Sequence, residues 1–130
     1  TREPEGSMGT KRILIADDNR FIRTLVRAAL SSLGHEIIEA VDGQEACELA
    51  FSCDPNLIIL DVVMPHMSGF EVLERIRTTD GAPTCPIAML TTAATPGDFS
   101  HADEFGAEGY ITKPFDNSEL RRRVTELLES

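Results

Sequence analysis

The chain has no tryptophan, one tyrosine and three cysteines in 130 residues, and its 12 Lys and Arg are outnumbered by 22 Asp and Glu. Each shortage excludes something. Cys47, Cys53 and Cys85 form no C-x-x-C pair, and an odd count without a framework argues for reduced thiols in a cytosolic setting. His35, His66 and His101 stand apart from the cysteines and from one another, so no zinc-ligand set is present. No apolar run approaches the roughly 20 residues needed to span a bilayer, and no basic-then-apolar leader opens the chain. A formal net charge of −10 repels duplex nucleic acid and anionic membrane surfaces. These absences predict a cytoplasmic location, no membrane contact and no direct nucleic-acid partner.

What remains is an ordinary globular composition, 42% hydrophobic, long enough for one domain with a real core. Residues 1–9 are polar, contain Pro4 and two glycines, and lack periodicity. Gly6-Ser7-Met8 resembles a vector remnant ahead of a native start at Met8, so residues 1–9 read as a disordered or vector-derived tail and residues 10–130 as the domain.

Beyond the tail, strand-like and helix-like patterns alternate. Lys11 to Asp17, His35 to Ala40, Asn56 to Leu60, Pro86 to Leu90 and Glu108 to Thr112 read as short buried strands. Helical spacing follows each of them: Arg20 to Leu33, about Gly43 to Ser52, Ser68 to about Thr79, a short helix through Phe105, and Asn117 to Glu129. Gly34 is a suitable helix stop and Asp42 a suitable cap. Five β–α units predict an α/β fold, a doubly wound parallel sheet covered by helices on both faces.

Four of these strands end in polar residues. The first delivers Asp17-Asp18, the third Asp61, the fourth Thr91-Thr92, and the fifth Lys113-Pro114-Phe115. In an open parallel sheet the C-terminal strand ends share one edge, where ligands bind. Three carboxylates, a hydroxyl and an ammonium meeting there suit a divalent cation and a phosphoryl group. Taken singly these residues have plainer readings: helix caps for Asp17, Asp18 and Thr91, a core aromatic for Tyr110, a loop cation for Lys113. Arg121-Arg122-Arg123 reads as a solvated helix face rather than a docking patch, and His66 as a loop residue.

The ordered set Asp17-Asp18, Asp61 to Pro65 as D-x-x-M-P, Gly69, Thr91 and Lys113-Pro114-Phe115 resembles the receiver domain of two-component response regulators, typified by the chemotaxis response regulator. The resemblance covers roughly Thr10 to Glu129. It implies a flavodoxin-like (βα)5 fold with strand order 2-1-3-4-5. It also implies that Asp61 is the phosphoacceptor, taking a phosphoryl group from a histidine kinase or histidine phosphotransfer protein. The metal would be Mg2+ (or Mn2+), bound by Asp18, by Asp17 through water, by Asp61 and by the Val63 backbone carbonyl. Lys113 would pair with Asp61 and then with the phosphoryl oxygens, Thr91 would donate its hydroxyl to one of them, and Tyr110 would be the aromatic switch. Thr91, and not Thr92, follows the Met89-Leu90 pair as the family's threonine does. The resemblance further implies a cis Lys113-Pro114 peptide. Output would run through the face of the fourth helix, fifth strand and last helix to a downstream protein or domain, with phosphorylation-dependent dimerisation among its forms. The chain would be a signalling domain that catalyses its own phosphorylation and slow dephosphorylation, not a turnover enzyme. Val63 and Ala93 would border the hydrolytic water, and neither can polarise it.

Three rival readings fit the residues less well. A haloacid dehalogenase-type phosphatase needs D-x-D, but Val63 stands two residues after Asp61. A flavodoxin-type flavin binder would meet the repulsion of Asp17-Asp18 at its phosphate. A phosphorylation-independent pseudo-receiver lacks one or more of the acidic, lysine or acceptor positions, and all are present here. A self-contained regulator and the receiver fragment of a larger one with a separate output domain fit the chain equally.

Overall fold

The computed structural model describes residues 10–91 and 106–129. Five strands form one sheet: β1 (Arg12–Ala16), β2 (Glu36–Ala40), β3 (Leu57–Asp61), β4 (Ile87–Thr91) and β5 (Gly109–Thr112). Their order is β2-β1-β3-β4-β5, and every neighbouring pair is parallel. Among the described residues the α-helices are α1 (Arg20–Leu30), α2 (Gly43–Cys53), α3 (Gly69–Thr78) and α4 (Asn117–Leu128). This is the doubly wound parallel sheet that the alternating pattern predicts, in the flavodoxin-like order that the resemblance implied.

The central strands β1, β3 and β4 are mostly apolar because both faces of the sheet are covered there, whereas edge strand β2 carries Glu36 and Glu39. Their side chains alternate between two cores. Leu14, Ala16, Ile58, Leu60, Ile87 and Met89 face α2 and α3, meeting Ala46, Ala50, Val72, Leu73 and Ile76. Ile13, Ile15, Leu57, Ile59, Ala88 and Leu90 face α1 and α4, meeting Val26, Ala29, Leu30, Leu120 and Val124. Truncating a fully buried strand residue such as Ile59 to alanine should cost about 2–5 kcal/mol.

Side-chain caps fix where each helix begins. Asn19 accepts from the amides of Phe21 and Ile22, Asp42 from Glu45, and Asp116 from Glu119. Ser68 and Glu71 form a reciprocal capping box, so α3 begins one residue after the serine expected to start it. The first helix expected to run to Leu33 is α-helical only to Leu30. It then tightens into a 3₁₀ turn (Ser31–Leu33) and stops at Gly34, whose φ of 76° a side chain would resist. Phe21 and Leu25, members of that helix's apolar pattern, are exposed. Cys47 is buried with its Sγ 3.9 Å from Met67 Sδ, as expected of a core residue. Arg121 is not merely solvated: it donates to the Ala29 carbonyl at 3.1 Å and ties α4 to the end of α1. The predicted tail at residues 1–9 and the helix through Phe105 lie outside the described residues.

Candidate phosphoacceptor and metal site

The register of the sheet brings the polar strand ends together. Asp61 is the last residue of β3 and pairs with Leu90, one residue before Thr91 at the end of β4. Ala16 pairs with both Ala40 and Leu60, so Asp17 emerges from β1 beside Asp61. Thr91 pairs with Thr112, and the Lys113 amide donates to the Thr91 carbonyl at 2.7 Å, which places Lys113 at the same edge. The Lys113-Pro114 peptide is cis, as the resemblance implied.

Asp17, Asp18 and Asp61 offer carboxylate oxygens that all lie within 4.8 Å of one another. Asp17 is fully buried, Asp61 is 5% exposed, and Asp18 faces solvent. Asp17 Oδ1 accepts from the Asn19 amide at 2.8 Å, which fixes the turn into α1. Lys113 Nζ sits 2.9 Å from Asp61 Oδ1 and 3.4 Å from Asp17 Oδ2. Two of the three carboxylates therefore share one ammonium, and Asp18 adds a third negative charge beside them. Burial raises the Asp61 carboxyl above the ordinary aspartate range; Lys113 opposes this, and the charges of Asp17 and Asp18 add to it. Burial alone would lower the Lys113 ammonium, but its hydrogen bond and attraction to Asp61, then Asp17, outweigh that and hold it above the ordinary lysine value. The cluster thus has an excess of negative charge that a further cation would relieve. Oxygen-only ligands of this kind suit a hard divalent ion such as magnesium.

Glycine is required where α3 meets the site. A Cβ on Gly69 would collide with the Asp61 carbonyl oxygen and approach Met89 Cε to 3.1 Å. The Gly69 amide donates to the Val62 carbonyl at 2.9 Å, closing the loop that follows Asp61. Within that loop Val63 is 76% exposed, and His66 is exposed with a left-handed φ of 72°. Thr91 is buried at the end of β4, 7% exposed. Tyr110 lies in β5 opposite Met89, half-buried against the core that faces α2 and α3. Thr92 and Ala93 lie outside the described residues.

The sequence profile of the response regulator receiver domain matches residues 13–125. The chain is a response regulator receiver domain. Its relatives include the DNA-binding dual master transcriptional regulator RpaA of Synechocystis sp., 39% identical over 117 residues, which are 90% of this chain and 48% of RpaA. Chemotaxis protein CheY4 of Vibrio cholerae superposes with a TM-score of 0.85 at 34% identity, covering 92% of this chain and 99% of the solved one. The receiver domain of sensor histidine kinase PA1611 from Pseudomonas aeruginosa PAO1 gives a TM-score of 0.84 at 30% identity, covering 94% of this chain and all of that one. That structure holds a magnesium ion coordinated in its active-site cleft. This receiver domain spans about half the length of the curated relatives it matches. Among its described residues, no helix is long and apolar enough to cross a membrane.

The expected acidic residues and Lys113 are thus brought together, with Thr91 at the adjoining strand end. One residue at this edge carries no signal in the strand-end pattern. Arg23 is buried and donates to the Asp17 carbonyl at 2.6 Å. Its spacing is the available clue: it lies three residues before Val26 on the inward stripe of α1.

Proposed function

We propose that Asp61 accepts a phosphoryl group from a phosphohistidine of a sensor kinase or phosphotransfer protein. Mg2+ (or Mn2+) would be held by Asp17, Asp18, Asp61 and the Val63 backbone carbonyl. The observation carrying this reading is the single ammonium of Lys113 set against three carboxylates from two adjacent strand ends. An Asp61 carboxylate oxygen forms the new bond to phosphorus as the donor's phosphorus–nitrogen bond breaks. The electron pair of that bond returns to the imidazole, which takes a proton from water. A carboxylate suffices as nucleophile because such transfers depend on positioning and charge neutralisation. Bound at the cluster, the divalent cation neutralises charge on the phosphoryl oxygens. Lys113 passes from Asp61 to those oxygens, and the Thr91 hydroxyl donates to another.

Phosphorylation then acts as a local charge event on a two-state element. Thr91 is drawn toward the phosphoryl group and Tyr110 turns inward. The face of β5 and α4 changes for a downstream protein, an output domain or a second copy of the chain. Residues 10–130 are the folded unit in this reading, acting in the cytoplasm and losing the phosphoryl group by slow self-catalysed hydrolysis. The test is incubation with acetyl phosphate, read as intact mass. Gain of one phosphoryl group with magnesium, and none in EDTA or in Asp61→Asn, is expected. Equal labelling in EDTA, or in Asp61→Asn, contradicts the reading.

A further inference from the structure

Among the described residues four polar side chains are buried: Asp17, Asp61, Thr91 and Arg23. The first three belong to the candidate site. Arg23, 9% exposed, does not, and a guanidinium is costly to bury unless its donors are used. Its donors are used in a specific way. Nη1 donates to the Asp17 backbone carbonyl at 2.6 Å, and Nε to Glu39 Oε1 at 2.8 Å. Glu39 is held in turn by Arg27, whose Nε and Nη2 reach Oε2 at 2.8 and 2.7 Å. Arg27 Nη2 also donates to the Ile37 carbonyl at 3.3 Å.

These contacts close a ring around the end of β1. The Asp17 amide donates to the Ala40 carbonyl of β2 at 3.2 Å, one residue past Glu39. Its carbonyl is held by Arg23, and its Oδ1 by the Asn19 amide at 2.8 Å. Backbone and side chain of Asp17 are therefore fixed from β2, from α1 and from the turn that joins β1 to α1. Asp18, the next residue, has its starting direction set by the same peptide. We infer that Arg23 is a positioning residue for the divalent-cation site, acting through the Asp17 carbonyl, with Glu39 and Arg27 holding its guanidinium in place. The inference rests on the proposed metal role of Asp17 and Asp18. Groups that orient a metal ligand typically change affinity by about 10–100-fold when lost.

The informative variant is Arg23→Lys. It keeps the positive charge, so electrostatic attraction or repulsion of the metal changes little. A single ammonium cannot reproduce the planar fork that spans the Asp17 carbonyl and Glu39. Arg77→Ala serves as a stability control: Arg77 bonds the Cys85 and Gly106 carbonyls ahead of β4 and β5, at the opposite edge of the sheet. Mg2+ affinity is measured by calorimetry, and amide hydrogen exchange is measured without metal. Arg23→Lys should weaken Mg2+ binding about tenfold, Glu39→Gln should weaken it less, and Arg77→Ala should leave it unchanged. Without metal, Arg23→Lys should accelerate exchange at Asp17 and Asn19 more than at Ile59, which reports global opening. Asp17 and Asn19 changing only in step with Ile59 would overturn the inference, as would unaltered Mg2+ affinity in Arg23→Lys. If the unsubstituted chain binds no Mg2+, the proposed function fails while the exchange comparison still decides the role of Arg23.

Discussion

Lys113 Nζ stands 2.9 Å from Asp61 Oδ1 and is the ammonium shared by Asp61 and buried Asp17. Removing it leaves like charges facing one another in a partly desolvated pocket. Lys113→Ala should therefore lose about 3 kcal/mol of stability in EDTA, the low end for an orphaned buried pair because the site is open on one side. Added magnesium should recover part of that loss, since the cation takes over the missing positive charge. Urea unfolding with and without metal measures both terms. An equal loss in both conditions would contradict the electrostatic account.

Asp61 gives a prediction with the opposite sign. Burial first, with Asp17 and Asp18 adding to it and Lys113 opposing, raises its carboxyl above the ordinary range. The folded state thus holds this proton more tightly than the unfolded chain. Its contribution favours folding fully below the unfolded value and is lost as pH rises through the raised folded value. At neutral pH the ionised Asp61 is a net liability in the absence of metal. Asp61→Asn should then unfold at the same urea concentration as the unsubstituted chain or at a higher one, and it should gain much less from magnesium. A clearly lower midpoint for Asp61→Asn in EDTA would show that the Lys113 pair outweighs burial.

Gly69 constrains the site by what it lacks. An added methyl group meets the Asp61 backbone carbonyl, which cannot swing aside as a flexible side chain could. Gly69→Ala should cost about 1–3 kcal/mol and should also weaken Mg2+ binding by displacing the end of β3. Calorimetric affinity and denaturant midpoint together check this. Full stability with unchanged affinity would show that α3 shifts without disturbing Asp61.

In the proposed reaction, loss of the phosphoryl group from Asp61 would need a water placed in line with the new bond. Val63, 76% exposed in the loop after Asp61, and Ala93 offer no side-chain hydrogen bond to orient or polarise that water. Val63→Asn combined with Ala93→Glu should accelerate loss of the phosphoryl group, followed by intact mass after removal of the donor. Unchanged or slower decay in the double variant would show that other groups control the water.

The residues most legible in the sequence were those whose position follows from periodicity. Runs such as Ile13 to Ala16 and Leu57 to Leu60 marked a sheet covered on both faces, and their ends marked the edge where Asp17, Asp61, Thr91 and Lys113 lie. The 2-1-3-4-5 order and the cis Lys113-Pro114 peptide were implied by family resemblance, not by spacing. Helix ends were less legible, because α1 stops where Ser31–Leu33 tighten into 3₁₀ geometry, a choice made by local hydrogen bonds and not by apolar pattern. Arg23 was invisible as a site residue because its partner is a backbone carbonyl, which leaves no complementary side chain to notice. Glu39 could not be matched to Arg23 and Arg27 until parallel pairing placed β2 beside β1.

The most direct test of the central claim is the location of the phosphoryl group. The chain is treated with acetyl phosphate and magnesium, digested under mildly acidic conditions and mapped by tandem mass spectrometry. A single modification on Asp61 is predicted. A phosphoryl group on Thr91 or His66, with Asp61 unmodified, would contradict the account.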